Sequence, residues 1–233
     1  MGDRIPLSEE PIADMDAVIQ YDKGARLYMM PEYKYFVRKI LKRGIRSGRV
    51  LDIGTGSGLL AIELARAKDC HFDIVALDIS KNMISKAREN ARRYGVENRI
   101  KFLVATAVAL PFADNSFDLV MSYASLHHWS EPVAVFDEVA RVTKATGYAI
   151  IRDNRRVYQN QVWKVIIWLI SRFMNKRHRE NWPKAIRASY TIPEISRILC
   201  GSRLRNYRVS SDFVFIDLCI ESSRNRTKNW SKS

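Results

Sequence analysis

The most informative stretch of this chain is Val50-Leu51-Asp52-Ile53-Gly54-Thr55-Gly56-Ser57-Gly58. An apolar strand runs directly into three glycines at alternate positions, and residues 59–67 then have the apolar spacing of a helix packed on a sheet. Glycines let a ligand approach the backbone closely, and the start of a helix presents free N–H groups to the polar end of that ligand. The stretch therefore predicts a ligand site where the first strand ends.

The spacing of these glycines separates two classes of cofactor. Gly58 comes one residue earlier than the third glycine of a dinucleotide fingerprint, and Leu59 occupies that glycine's position. Asp52 precedes the turn, where a carboxylate disfavours a pyrophosphate but suits the ammonium group of a methionine moiety. Asp78 ends the next predicted strand and is well placed to accept hydrogen bonds from ribose hydroxyls. Together these features favour S-adenosylmethionine over a dinucleotide.

Strands and helices alternate along the rest of the chain, which predicts a doubly wound α/β fold with a mostly parallel sheet and helices on both faces. The predicted strands cover residues 49–53, 74–77, 100–104, 117–122, 148–151, 203–209 and 213–219. The predicted helices of this part cover residues 59–67, 81–94, 133–143 and 193–199, and Ser80 is the predicted N-cap of the second. We expect Gly147 to form a turn before the fifth strand. A tight turn at residues 210–212 predicts a closing hairpin, so one of its strands must run antiparallel to the rest.

The remaining segments suggest a layout around this domain. Residues 1–44 are expected to form an N-terminal helical cap, with one or two helices over residues 15–41 and a break or a second helix start at Pro31. The domain itself is expected over 45–220, with a helical lid inserted after the fifth strand at about 155–191. We expect the polar tail, 221–233, to be disordered.

Three sequence blocks carry a family resemblance. VLDIGTGSG, ALDIS and LPFADNSFDLVMSYASLHHW resemble the successive motifs of class I S-adenosylmethionine-dependent methyltransferases, over about residues 49–151. The chain is most similar to the small-molecule group that includes the ubiquinone and menaquinone biosynthesis methyltransferases. The resemblance implies a seven-stranded sheet with an antiparallel last strand, in agreement with the predicted hairpin.

The resemblance also implies a set of cofactor contacts. The glycines would line the methionine portion, with Asp52 near its ammonium group, while Ile79 and Met83 would pack on the adenine. The family usually has an aspartate that meets the adenine amino group, and this chain has Thr106 instead. The predicted cofactor-binding residues are Asp52, Gly54, Thr55, Gly56, Gly58, Asp78, Ile79, Met83, Thr106, Ala107 and Ser122.

Two histidines follow the fourth predicted strand. Histidine exchanges a proton near neutral pH more readily than other side chains. His127 is therefore a candidate catalytic base, and His128 is a candidate substrate contact. Alternatively, the two histidines cap the following turn or pack against Trp129.

Charged residues end the fifth predicted strand. Asp153 is a second catalytic candidate, as a base or as a group that orients the substrate. Arg155 and Arg156 could clamp a carboxylate or phosphate of the substrate. The alternative is a plain ion pair between Asp153 and one of these arginines. Tyr28, in the predicted N-terminal helices, is a further candidate substrate contact.

The chain is strongly basic, and its charge is concentrated in one region. Its formal net charge is +14, and residues 151–210 hold fourteen basic and three acidic side chains, a net charge of +11. Such a region could meet nucleic acid, anionic lipid or an acidic substrate, or could be a solvated surface. Residues 162–174 are apolar nearly all round, which indicates a buried lid helix or one that lies against a membrane. That run is too short to span a bilayer.

The sequence therefore predicts a cytoplasmic methyltransferase that uses S-adenosylmethionine, yields S-adenosylhomocysteine and acts on a hydrophobic, aromatic or anionic small molecule. No secretory signal is recognisable in the first twenty residues. The three scattered cysteines indicate neither a metal site nor a disulfide framework. The alternatives are an RNA methyltransferase that uses the basic region, and a protein that binds the cofactor without turnover.

Overall fold

A single mixed sheet organises the protein. The computed structural model describes residues 4–7, 12, 14–157, 165–166, 168–169, 171–174, 176–212 and 214–221. In these residues the strands are β1 Ser47–Ile53, β2 His71–Asp78, β3 Ile100–Val104, β4 Phe117–Tyr123, β5 Thr143–Asn154, β6 Tyr207–Ser211 and β7 Phe215–Glu221. Their order in the sheet is β3-β2-β1-β4-β5-β7-β6. β1 to β5 are parallel, and β7 is antiparallel to both β5 and β6. The predicted doubly wound sheet with an antiparallel last strand is confirmed.

Helices cover both faces of the sheet. They are α1 Met15–Gly24, α2 Met30–Leu41, α3 Leu59–Ala65, α4 Lys81–Arg93, α5 Pro132–Val142, α6 Lys176–Ala188 and α7 Ile192–Gly201, with a π-helical turn at Ala25–Met29 between α1 and α2. Successive side chains of a strand point to opposite faces. Val50 accordingly packs with Phe36 of α2 in one core, while its neighbour Leu51 packs with Phe136 of α5 in the other.

The strand order places the candidate site. The strand order reverses between the neighbours β1 and β4. From β1 the chain continues outward to β2 and β3 on one side, and from β4 it continues to β5 on the other. In open α/β sheets the crevice at such a reversal, beyond the carboxyl ends of the strands, is where ligands bind. The glycine turn follows β1, Asp78 ends β2, the segment 124–129 follows β4, and Asn154 ends β5.

Local boundaries were predicted with mixed success. Ser80 caps α4 as expected, since its hydroxyl accepts from the Met83 N–H at 3.3 Å. The predicted turn at Gly147 is wrong, because β5 extends from Thr143 to Asn154. The register of its pairing with β4 is irregular between Thr143 and Tyr148. The hairpin turn was placed too early, because Ser210 and Ser211 still pair with β7.

Polar side chains dock α1 on the domain. The Asn90 amide nitrogen of α4 donates to Asp22 at 2.7 Å and to the Ser57 carbonyl of the glycine turn at 2.8 Å. Arg26 donates to the Asp22 carboxylate at 2.9 Å and to the side-chain amide oxygen of Asn90 at 2.6 Å. Buried polar groups need such partners. The network brings Tyr21 of α1 next to the glycine turn, where a Cβ on Gly56 would lie 3.4 Å from its ring.

The segment after β5 differs from the prediction. Its polar, basic part forms the helix α6, with Pro183 inside it. The predicted apolar helix falls partly outside the described residues, and so does the tail beyond Glu221. Among the described residues, no helix combines the length and the apolar character needed to cross a membrane.

Candidate active site

The turn after β1 requires glycine for steric reasons. Gly54 has φ +71°, and a Cβ there would lie 2.1 Å from the Ser125 hydroxyl oxygen. Gly58 has φ +79°, and a Cβ there would lie 2.9 Å from Ala87 Cβ of α4. Positive φ values are unfavourable for residues with a Cβ. The glycines therefore allow the chain to pass between the segment after β4 and the helix α4.

Asp52 lies beneath this turn. Its carboxylate accepts from the Thr55 hydroxyl at 2.6 Å, and the residue is only 1% exposed. Burial raises the pKa of the Asp52 carboxyl to about 7, against the lowering effect of the Thr55 hydrogen bond. Asp52 thus anchors the turn through its hydrogen bond with Thr55. Neither residue lines either of the two cavities beside the turn.

Asp78 holds the other side of the turn. Its Oδ2 accepts from the Gly56 N–H and its Oδ1 from the Ser80 N–H, both at 2.9 Å. Burial raises the pKa of this carboxyl, while the two backbone donors lower it. Burial, together with the Asp78 charge, raises the pKa of Tyr21 to about 12, so Tyr21 stays a neutral phenol.

The first of two cavities, of about 150 Å³, opens beside this carboxylate. Six predicted cofactor residues line it, namely Gly54, Gly56, Asp78, Ile79, Met83 and Ala107. The sequence analysis did not assign Ile12, Ser80, Ala105, Ala124, Ser125 or Trp129, which also line it. Its walls combine one carboxylate, the exposed backbone of the glycine turn and apolar side chains.

The other predicted cofactor residues do not line this cavity. The Ser122 side chain is fully buried and donates to the Ile53 carbonyl at 2.9 Å, which ties β4 to β1. The Thr106 hydroxyl accepts from the Val108 N–H at 3.4 Å. Gly58 packs on α4, as described above. These residues support the site rather than form its wall.

A second cavity, of about 340 Å³, adjoins the first. Four residues line both cavities, namely Ile12, Tyr21, Ala124 and His128. The second cavity is lined in addition by Leu7, Met29, His127, Asn154, Asn181, Trp182, Lys184 and Ala185. The shared residues place the two cavities side by side, and we call the two adjacent cavities together the cleft.

His127 and Asp153 meet at the second cavity. The imidazole Nδ1 lies 2.7 Å from Asp153 Oδ1, and the His127 backbone N–H donates to Asp153 Oδ2 at 2.8 Å. Each side chain is 3% exposed. A carboxylate only accepts hydrogen bonds, so Nδ1 is the donor in this contact, and in the neutral form of the imidazole Nε2 is then the acceptor. Asp153 thus sets the tautomer and the orientation of a histidine that faces the cavity.

Three predicted substrate contacts lie elsewhere. Arg155 donates to the Ser211 hydroxyl and to the Asp212 carbonyl at 3.1 and 3.2 Å. Arg156 is buried and pairs with Glu194 of α7. Tyr28 reaches the carbonyl of Phe173 at 3.5 Å. None of the three lines either cavity, and the alternative ion pair of Asp153 with an arginine is replaced by the contact with His127.

Residues near the N-terminus also border the cleft, and no sequence pattern indicated this. The Ser80 hydroxyl donates to the Ile12 carbonyl at 2.8 Å, which fixes Ile12 across both cavities. Arg4 donates to the carbonyls of His127 and Ala188 at 3.1 and 2.6 Å. Residues 4–12 have no hydrophobic period that could have indicated this position. Trp182 and Lys184 lie within the predicted helical lid, but no motif in their stretch indicated that they face the cleft.

Comparison with known proteins is consistent with this arrangement. Residues 51–151 match the family model of a methyltransferase domain. The chain is 36% identical over 110 residues, 47% of its length, to the 27-O-demethylrifamycin SV methyltransferase of Amycolatopsis mediterranei. It is 34% identical over 120 residues, 52% of its length, to the ubiquinone/menaquinone biosynthesis C-methyltransferase UbiE of Geotalea uraniireducens.

These relatives extend beyond the shared region. The match covers 40% of the first and 50% of the second, so the chain aligns with at most half of the length of either. A solved structure from Methanococcus maripaludis superposes with a TM-score of 0.75 over 98% of this chain and 100% of its own, at 23% identity. At that identity the superposition supports the fold alone.

Proposed function

We propose that this chain, whose residues 51–151 form a class I methyltransferase domain, transfers a methyl group from S-adenosylmethionine to a hydroxyl group on a small, largely apolar acceptor. The observation that carries the proposal is the His127–Asp153 pair, whose histidine lines a cavity adjacent to the one beside Asp78. A base is needed only when the nucleophile carries a proton, and a histidine oriented by a carboxylate is such a base.

The first cavity fits the parts of the cofactor in order. Asp78 would accept hydrogen bonds from the ribose hydroxyls, and Ile79 and Met83 would pack on the adenine. Gly54 and Gly56, whose backbone borders the cavity, would face the methionine portion. The bound cofactor supplies an electrophilic methyl group on a sulfonium.

His127 and the cleft do the rest of the chemistry. His127 Nε2 takes the proton of the acceptor hydroxyl while the acceptor oxygen bonds to the methyl carbon. The bound cofactor would give up its methyl group with the bonding electron pair left on sulfur, so the products would be the methyl ether, S-adenosylhomocysteine and a protonated imidazole on His127. Asp153 stabilises that imidazolium. In-line displacement requires the oxygen about 3–3.5 Å from the methyl carbon, and the apolar walls help to hold it there and exclude water.

The walls of the second cavity favour one kind of acceptor. Leu7, Met29 and Trp182 provide apolar surface for a flat or aliphatic body. Asn154 and Lys184 provide an amide and a cation at the same cavity. A phenol or enol that also carries an anionic or carbonyl oxygen matches this lining. Lys184 thus has the anion-binding role that the sequence indicated for Arg155 and Arg156.

The names of the relatives agree with a small acceptor. One is named for a rifamycin derivative and one for quinone biosynthesis. The RNA alternative has no comparable support. The alternative of a protein without turnover does not account for a histidine held by a carboxylate at the cleft.

The test combines cofactor binding with a paired acceptor screen. Calorimetry should give micromolar binding of S-adenosylmethionine and S-adenosylhomocysteine and no binding of NAD. Methyl transfer from labelled cofactor is then measured with a panel of phenols and enols, each beside the same compound without its hydroxyl group. The proposal expects label in the hydroxylated member of a pair only.

Two results would contradict the proposal. Binding of NAD in place of the sulfur cofactors would overturn the cofactor assignment. Equal labelling of both members of a pair would show that the accepting atom is not the hydroxyl oxygen, and would remove the need for His127 as a base.

A further inference from the structure

One face of the segment after β5 is apolar and exposed. The residues described between 165 and 171 are helical, and 172–173 form a turn directly after them. Val165, Trp168, Leu169, Arg172 and Phe173 have the sequence spacing i, i+3, i+4, i+7, i+8 that is typical of one helix face. Their apolar members are exposed to 55%, 57%, 48% and 87%. Ser171, off this face, is buried at 4%. We call these five residues the 165–173 face.

This apolar surface is larger than single exposed side chains explain. Scattered exposed apolar residues are normal on soluble proteins, but a contiguous group marks an interaction site. Phe173 is the most exposed large apolar residue among those described. The 165–173 face is therefore expected to be covered by a partner.

The charge around the face indicates the partner. Residues 172–187 contain six lysines and arginines and one acidic residue, Glu180. The guanidinium of Arg172 lies 5.4 Å from the centre of the Trp168 ring, so a basic and an aromatic group stand together on the face itself. Aromatic residues with lysines and arginines at their border are typical of helices that lie in the headgroup region of an anionic bilayer.

We propose that the 165–173 face docks the protein on the surface of an anionic lipid membrane. Trp168, Leu169 and Phe173 insert among the acyl chains, and the exposed Arg172, Lys176 and Arg179 contact the phosphates. α6 begins three residues after Phe173 and carries Trp182 and Lys184 of the second cavity. Docking here would bring that cavity close to molecules dissolved in the membrane. The inference concerns binding alone and holds whether or not the proposed reaction is correct.

The experiment is co-sedimentation with vesicles of phosphatidylcholine, with and without phosphatidylglycerol. We expect binding to the mixed vesicles that weakens with salt and is at least tenfold weaker to phosphatidylcholine alone. The double variant Trp168→Ser/Phe173→Ser should lower the partition coefficient by at least about tenfold, because both side chains insert. Arg172→Glu/Lys176→Glu should lower it by a similar factor.

A matched variant controls for the loss of exposed apolar surface. Val133→Ser/Ile192→Ser removes two side chains, each 37% exposed, from α5 and α7, and should bind vesicles as the wild type does. Circular dichroism and calorimetry with S-adenosylmethionine report on the fold and the cofactor site separately. Failure of cofactor binding alone would affect only the proposed function.

Three outcomes would overturn the membrane proposal. They are equal binding of the wild type and the Trp168/Phe173 variant, equal binding to neutral and anionic vesicles, and no vesicle binding at low salt. In the last case sedimentation velocity identifies a competing occupant, since a dimer lost in the Trp168/Phe173 variant would assign the face to a second copy of the chain.

Discussion

Asp153, at the end of β5, accepts two hydrogen bonds from His127, one from its backbone N–H at 2.8 Å and one from Nδ1 at 2.7 Å. The two residues are far apart in sequence, and the parallel pairing of β4 with β5 brings them together. The double contact fixes both the main chain and the ring of His127. A histidine that only capped a turn would not need its ring nitrogen held in this way.

Replacing either member of the His127–Asp153 pair should reduce turnover without reducing cofactor binding. Asp153→Asn leaves the ring without its carboxylate partner, and His127→Ala removes the base. Each should lower kcat by about two to four orders of magnitude on an acceptor hydroxyl. The dissociation constant for S-adenosylmethionine, measured by calorimetry, should change little. His71→Ala, at an exposed histidine, is the matched control. Loss of stability in urea with normal kcat would show that the pair is structural only.

Asp78 should determine cofactor affinity. In the proposed cofactor complex Asp78 accepts hydrogen bonds from the ribose hydroxyls, so Asp78→Asn, which removes the charge, should lower the affinity roughly tenfold to a hundredfold. Asp73→Asn lies in the same strand, at an exposed position, and should bind the cofactor normally. Calorimetry with S-adenosylhomocysteine measures both variants. Equal affinities would remove Asp78 from the cofactor site.

Alanine variants at Gly54 and Gly44 distinguish the cost of a steric clash from the cost of a left-handed backbone. Both have positive φ, +71° and +79°, but a Cβ on Gly44 meets nothing within 4 Å, whereas on Gly54 it meets the Ser125 hydroxyl at 2.1 Å. Alanine at either position costs about 1–2 kcal/mol for the left-handed backbone. Gly54→Ala should cost about 1–3 kcal/mol more for the clash. Urea unfolding gives both values, and equal losses would mean that the turn adapts to the extra carbon.

The raised pKa of Asp52 predicts that the folded protein becomes less stable as the pH rises. Its pKa is about 7 in the folded protein and 3.8 as a reference, so between these values the folded state holds a proton that the unfolded state has lost. The free energy of unfolding therefore falls from about pH 4 to pH 7 by an amount on the order of 2–4 kcal/mol from this group.

The measurement for Asp52 is a difference between variants. Asp52→Asn keeps an acceptor for Thr55 but does not titrate, so its stability relative to the wild type should increase across this range and level off above pH 7. Glu89→Gln, at an exposed ion pair, should show no such trend. A constant difference between Asp52→Asn and the wild type would mean that Asp52 is ionised throughout.

Much of the fold and part of the site could be predicted from local patterns. Ser80 as a helix cap, the glycine turn and the order of strands and helices depend on neighbouring residues, and the structure bears them out. The boundary errors lie where long-range pairing overrides local signals. Gly147 looks like a turn residue, but it lies within the strand β5, at the irregularity in register between β5 and β4.

The sequence alone determined the fold class, the position of the cofactor turn and the identity of two residues that carry the proposed chemistry. These follow from hydrophobic period and from short motifs, which are local properties of the chain. Only the tertiary structure decided that Asp153 pairs with His127 instead of an arginine, and that Ile12 and Lys184 border the cleft. Those relationships depend on strand order and on how distant segments pack, and no short stretch of sequence contains them.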